Sequence, residues 1–312
     1  MMNTLLHKTV MLEESIQALK IKKNGIYIDC TFGAGGHSLK ILKNLNKDGK
    51  LYAIDRDPYA INIAKKILDH RLQIIHGNFS DIDIFVKKYN INKKIDGIIL
   101  DLGVSSMQLM FKDRGFSFKL DGPLDMRMNP TEGISATTWI NSSTKKEIAY
   151  VLKTFGEEKF ANKIAAIIEK KKKNQPITTT LELSKIIQSV IFKKKKRQHP
   201  ATKSFQAIRI FINQELYAIK IFLQKILKFL NKNARIVVIS FHSLEDRIIK
   251  QFMVQNSCIP HIPNGIPISE KNIKLLYQKN IKIVDRIFPT TKEIIDNPKS
   301  RSAILRIAEY IQ

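Results

Sequence analysis

A glycine-rich turn set between a short apolar run and a helical pattern constrains this chain more than any other feature. Residues 25–30 (Gly-Ile-Tyr-Ile-Asp-Cys) read as a buried strand. Thr31-Phe32-Gly33-Ala34-Gly35-Gly36-His37 follows, and a helix starts near Ser38. Glycines there allow positive φ and let a ligand approach the backbone closely. The rhythm repeats, with apolar runs at 50–55, 72–76 and 95–101, and Pro58 suits the first turn of the helix after the second run. Strands separated by helices give right-handed βαβ units and a parallel sheet. Three of these strands end at or next to Asp29, Asp55 and Asp101. Open α/β sheets bind ligands outside the carboxyl ends of their strands. Three carboxylates there point to a ligand with several hydroxyl or amine donors. Any one of them alone is equally well explained as the cap of the next helix.

The dinucleotide fingerprint wants a third glycine at position 38, against a pyrophosphate, and the chain has Ser38. The turn therefore suits a cofactor without pyrophosphate. Asp55 lies 22 residues after Gly33, placed to accept from both ribose hydroxyls of an adenosine. The turn after the third strand, 76–80, would run beside an adenine, with Phe79 either stacking on it, presenting its backbone, or serving as a core residue. Near the end of the chain, 281–287 and 301–308 read as strands with no long helix between them, the pattern of an antiparallel pair. A parallel sheet closed in that way is the pattern of the class I, Rossmann-like, S-adenosylmethionine (SAM)-dependent methyltransferase fold. In that fold methyl transfer takes place after the fourth strand, here Asp101-Leu102-Gly103-Val104-Ser105-Ser106. The Pro-Pro-aromatic signature of DNA amine methyltransferases is absent at that position, although an amine substrate is not excluded.

From 107 to 204 no buried strand is found, and 147–155, 157–172 and 180–192 read as helices. A long helix is expected from 205 to about 230, with apolar residues at helical period, before a strand at 234–240. The expected organisation is a methyltransferase domain in two parts, 1–106 and 205–312, with an inserted all-helical substrate-recognition domain at 107–204. Charge supports a polyanionic partner: Lys+Arg minus Asp+Glu is 53 − 28 = +25. AT-biased coding accounts for part of that surplus but not for its unevenness. Residues 107–204 carry 20 − 9 = +11, against +14 for the other 214 residues. The insert also holds both dense cationic runs, 170–173 and 193–197, expected to contact RNA phosphates. Two cysteines exclude a disulfide scaffold and a cysteine-based zinc cluster, and no metal site is expected. The longest uncharged stretch, 251–269, holds three prolines and several amides, so no membrane helix is expected. With no secretory signal evident, a cytoplasmic protein is expected.

Three polar constellations are left unexplained by periodicity: 122–128, 199–206 and 240–247. In the last, His242 is a candidate base or hydrogen-bond donor to the substrate. The alternative is a helix capped by Ser243 with Asp246 at its third position. A serine-hydrolase reading finds no Gly-x-Ser-x-Gly elbow.

Taken in order, Thr31-Phe32-Gly33-x-Gly35-Gly36-His37-Ser38, Ala53-Ile54-Asp55-Arg56-Asp57, the segment 101–106, Arg114-Gly115-Phe116-Ser117-Phe118, and the segments 122–128, 199–202 and 240–247 resemble the ribosomal RNA small-subunit methyltransferase H family. The resemblance runs from about His7 to Ala308. It implies SAM as methyl donor and N4 of a cytosine in the 16S rRNA of the small ribosomal subunit as acceptor. It also implies SAM contacts at Gly35, Gly36, His37, Asp55, Phe79, Asp101 and Gln108. Cys30 stands where the family usually has glycine, and Ala34 where it usually has a basic residue. The candidate proton acceptors are Asp101 and His242. The rival functions are methylation of another nucleic-acid amine, a small-molecule methyltransferase, and a non-catalytic RNA-binding protein that retains the fold.

Overall fold

The computed structural model describes residues 8–91, 94–191, 199–258 and 279–312. The run at 193–197 therefore lies outside the described residues, apart from the rest of the insert. The chain divides into two compact units, one made of Met1–Gly103 with Leu216–Gln312 and the other of Val104–Glu215.

In the first unit, seven strands among the described residues form one sheet: β1 (Ile26–Asp29), β2 (Lys50–Asp55), β3 (Leu72–His76), β4 (Ile95–Asp101), β5 (Leu230–Ser240), β6 (Ile281–Ile287) and β7 (Ile304–Tyr310). Their order is β3-β2-β1-β4-β5-β7-β6. β1 to β5 pair in parallel, and β7 runs antiparallel to both β5 and β6. The last strand thus slots between the fifth and sixth, which is the strand order of class I SAM-dependent methyltransferases. The central strands are buried on both faces, as a sheet covered by helices requires. Alternate residues supply two separate cores. Ile28, Ile54, Ile98, Leu100, Ile236 and Val238 pack with Phe222, Ile249 and Met253. Tyr27, Leu51, Ile99, Val237 and Ile239 pack with Ile16, Leu19 and Ile41. Helix Leu12–Leu19, which the sequence reading did not anticipate, contributes to the second core.

The second unit is helical, with its own core around Trp139, Ile148, Leu152, Ile164, Ile187 and Phe205. Thr144 and Glu147, and again Thr179 and Glu182, form reciprocal capping boxes that fix two of its helix starts. The helix read as 157–172 starts later, at Ala161, because Glu157 takes a left-handed φ of 47° and ends the preceding helix.

The single long helix expected from 205 is two helices, Thr202–Ile212 and Glu215–Ile226. Gln214 adopts φ 50°, and the Asn213 side chain reaches beyond its own helix. Its Oδ1 accepts from Met128 N at 2.7 Å and its Nδ2 donates to Met126 O at 2.7 Å. Arg209 and Glu215 bridge the break with two hydrogen bonds at 2.8 and 2.9 Å. The break coincides with the boundary between the units. No helix among the described residues is long and apolar enough to cross a membrane.

Candidate active site

The carboxyl edge of the first unit's sheet gathers the strand-end residues. Asp55 pairs in register with His76 across β2 and β3, and Asp101 with Ile239 across β4 and β5. Between β1 and helix Gly36–Asn44 the chain makes the glycine turn. Gly33 takes φ 55° and Gly35 takes φ 84°. A Cβ on Gly35 would stand 2.6 Å from Phe32 Cζ, and one on Gly36 would overlap the Thr9 hydroxyl. These glycines are needed for conformation at one position and for packing at both.

The three aspartates do different jobs. Asp29 is buried, accepting from Thr31 N at 3.1 Å and from Ser38 Oγ at 2.6 Å. It braces the turn with both oxygens, and burial pushes its pKa up to about 6 against those two hydrogen bonds. Asp55 Oδ2 accepts from Gly33 N at 2.7 Å and Oδ1 from Asp57 N at 2.8 Å. The β2 carboxylate is thereby tied to the glycine turn, and each oxygen retains a second lone pair for a ligand. Burial also lifts Asp55 to about 6. Asp101 is held through its backbone, whose N–H donates to Thr31 Oγ1 at 2.7 Å. Its Oδ1 is buried with no hydrogen-bond partner. His37 Nδ1 lies 3.8 Å from Oδ2. Burial first, then the charges of Asp29 and Glu245, push the Asp101 pKa well above the carboxylate range.

Phe79 opens a short 3₁₀ turn capped by Asn78 and packs edge-on to Phe222 at 5.6 Å. Half-buried, it joins the first core and is also within the edge loop after β3.

His242 caps helix Ser243–Ser257. Its Nδ1 accepts from Glu245 N at 3.4 Å, while Glu245 Oε2 accepts from Phe241 N at 2.9 Å. The cap therefore lies one residue earlier than the Ser243 and Asp246 reading, and Glu245 takes the third position, where a capping box wants an acid. Asp246 instead receives two hydrogen bonds from Arg306, at 2.7 and 2.9 Å. His242 Nε2 lies 3.1 Å from Glu245 Oε1.

Gln108 belongs to the second unit, where Ser105 and Gln108 form a reciprocal capping box for helix Ser106–Met110. The Ser-x-x-Gln spacing is a capping signal that the sequence reading did not use. Residues not picked out from the sequence are Thr31, Ser38 and Glu245. The first two lie inside the glycine motif, and their hydroxyl spacing was the available signal. Glu245 carried none.

In the second unit, the 170–173 run ends helix Ala161–Lys172. Lys170, Lys171 and Lys173 are exposed. Lys172 is half-buried and donates to the carbonyls of Ile140 and Ser143, the end of a neighbouring helix. One of the four cations is thus structural. The polar segment 122–128 is a braced loop, with Arg127 forming a two-point pair with Asp125 and Arg114 donating to Arg127 O and Met128 O.

The sheet order and the glycine turn together frame a methyltransferase site, and comparison with known proteins decides the family. The model of the MraW methylase family matches residues 4–311. The chain belongs to the MraW methylase family. Its relatives include the ribosomal RNA small subunit methyltransferase H of Buchnera aphidicola subsp. Acyrthosiphon pisum (strain Tuc7), 55% identical over 303 residues, which are 97% of this chain and 97% of that one. The protein of the same name from subsp. Baizongia pistaciae is 52% identical over 310 residues, 99% of this chain and 98% of its own. That from subsp. Schizaphis graminum is 52% identical over 309 residues, 99% of both. Among solved structures, a SAM-dependent O-methyltransferase of Thermotoga maritima is 11% identical, spanning 100% of this chain and 69% of its own with a TM-score of 0.42. At that distance the fold of this MraW-family chain rests on its own strand order.

Proposed function

We propose that this MraW-family methylase transfers the methyl group of SAM to the exocyclic N4 amine of a cytosine in 16S rRNA, working in the cytoplasm on the small ribosomal subunit or its RNA. The cofactor is SAM, which supplies an electrophilic methyl group on a sulfonium. The observation that carries the reading is the carboxyl edge itself. A backbone-lined glycine turn is tied to a ribose-competent carboxylate at Asp55, and on the same edge the half-buried Asp101 holds a buried Oδ1 that lacks a partner. A buried acceptor without a donor is costly, and a ligand amine at that point removes the cost.

In this reading Gly35 and Gly36 give the cofactor backbone access, Asp55 receives its ribose hydroxyls, and the Phe79 loop borders its adenine. His37 is a further contact that the family resemblance assigns within this unit. The amine's lone pair is delocalised into the base, so in-line positioning carries most of the catalysis. The base must be unstacked to reach the edge. As the new N–C bond forms, the nitrogen sheds a proton. Asp101 is the proposed acceptor, because burial makes it a stronger base than an ordinary carboxylate and Oδ1 is open. His242 Nδ1 already accepts the Glu245 N–H, which puts the ring's remaining proton on Nε2. We assign His242 to positioning the β5 edge. The surplus of +11 over 107–204 supports a phosphate-binding role for the insert.

The test is transfer of a labelled methyl group from SAM to rRNA, duplex DNA and free cytidine, each offered separately, with Asp101→Asn alongside. The reading expects label in rRNA alone and, for the variant, a large fall in kcat at saturating SAM, beyond any loss of SAM affinity. Label in DNA or cytidine and none in rRNA would overturn it.

A further inference from the structure

Ahead of helix Leu12–Leu19 the chain forms a short strap, residues 8–11, that none of the cofactor motifs includes. It is held at several points. Val10 and Met11 are buried in the second core of the sheet unit. Met11 turns the chain with φ 48°, and its N–H donates to Glu293 Oε1 at 3.3 Å. Asn297 Nδ2 donates to Lys8 O at 3.0 Å, and Lys8 Nζ pairs with Asp296 at 2.9 Å. Glu293, Asp296 and Asn297 all belong to the connection between β6 and β7, so a distant part of the chain fixes where the strap runs.

Thr9 sits inside this strap and faces the glycine turn. A Cβ built on Gly36 would overlap Thr9 Oγ1 and stand 2.9 Å from Thr9 Cβ, so the hydroxyl lies directly on Gly36. Thr9 is half-buried, and among the described residues its hydroxyl has no hydrogen-bond partner. The fold thus brings a hydroxyl to the cofactor turn and does not use it for itself.

The chemistry of SAM decides what such a hydroxyl meets. β1, which leads into the turn, lies between β2 and β4, and so between Asp55 and Asp101. With the ribose on Asp55, the amino-acid end of SAM is left for the turn and for Asp101. That end carries an ammonium and a carboxylate. The acidic groups of the edge, Asp29, Asp55, Asp101 and Glu245, suit the ammonium and repel the carboxylate. The carboxylate needs donors, and Thr9 can supply one beside the backbone of Gly36.

We propose that Thr9 is a cofactor-binding residue whose hydroxyl donates to the carboxylate of SAM. The proposal rests on the SAM reading of this edge and adds to it a residue from outside the glycine turn, carried in by the strap.

The experiment measures the Kd of SAM and of decarboxylated SAM, by competition against labelled SAM, for the full-length wild type, Thr9→Val and Thr9→Ser, each checked by a thermal melt. Valine keeps the shape and removes the hydroxyl. Losing one hydrogen bond to a charged group should weaken SAM about tenfold to a hundredfold. Decarboxylated SAM should bind the wild type and Thr9→Val equally, because the partner of the hydroxyl is gone. Thr9→Ser should bind SAM as the wild type does. Thr9→Ala provides the same comparison should valine prevent folding. Equal SAM affinity in the wild type and a folded variant without the hydroxyl overturns the proposal. An equal loss for both ligands, or a serine variant as weak as valine, assigns the effect to packing against Gly36 and also overturns it. A wild type that binds neither ligand would refute the SAM reading of the edge, and the proposal with it.

Discussion

Replacing Asp55 with Asn tests the cofactor half of the site. The carboxylate accepts from Gly33 N at 2.7 Å and from Asp57 N at 2.8 Å, and in the proposed reading its remaining lone pairs accept the ribose hydroxyls. An amide keeps one acceptor and turns an N–H₂ toward either a backbone N–H or a hydroxyl. Hydrogen bonds to a charged group contribute about 1.5–3 kcal/mol each. Losing two, with partial replacement by water, leaves a net cost of roughly 2–4 kcal/mol, or about 30- to 700-fold in Kd. Folding is affected less, because the same burial that raises Asp55 to about 6 penalises its charged form, and Asn removes that penalty. Isothermal titration with SAM, backed by a thermal melt, separates the two effects. A variant that melts like the wild type and binds SAM equally well would remove Asp55 from the cofactor site and undo the argument from the glycine turn.

Gly36→Ala should lower SAM affinity while costing stability, since its Cβ overlaps the Thr9 hydroxyl; paired with Thr9→Ala, which removes that hydroxyl, part of the melting temperature should return. His242→Ala removes a helix cap, with an expected loss of about 1 kcal/mol in chemical denaturation. It should reduce methyl transfer well beyond any change in SAM affinity, and equal activity in a folded variant would limit His242 to the cap. The pH dependence has a definite sign. Asp29 rises from 3.8 to about 6 on folding, so the ligand-free protein holds more protons folded than unfolded. Its contribution is present below pH 3.8 and is lost as pH rises through about 6, an amount of order 3 kcal/mol at two pKa units. Asp55 acts in the same direction. Melts of the ligand-free protein should therefore show these carboxylates opposing stability between pH 4 and 7, and Asp29→Asn should flatten that slope.

The parallel sheet was legible because its strands are short, apolar on both faces and bounded by glycine or aspartate. Ile98, Ile99 and Leu100 are all buried, and no helix of three residues' pattern competes with that reading. The glycine turn was legible for the same reason: two of its glycines take positive φ that other residues resist. The break at Asn213 was hidden because the apolar phase carries across it, from Ile212 to Leu216, with the spacing of one helical turn. What ends the helix is a polar side chain bonding to Met126 and Met128, more than 80 residues away in sequence. The cap at His242 was misplaced by one residue because histidine caps through a ring nitrogen, whereas Ser243 has the commoner capping chemistry. Glu245 gave no signal, since a buried glutamate is recognisable only once Phe241 N–H has turned toward it. Lys172 looked like its three neighbours in the run, and only the carbonyls of Ile140 and Ser143 set it apart.

The reaction leaves a methyl group on one atom of one base in RNA. Mass spectrometry of nucleosides from rRNA treated with the protein and isotopically labelled SAM tests it most directly. The expected product is labelled N4-methylcytidine at a single site, strongly reduced when Asp101→Asn replaces the wild type. Label on a carbon, on a ribose hydroxyl or on adenine, or no label in RNA at all, would contradict it.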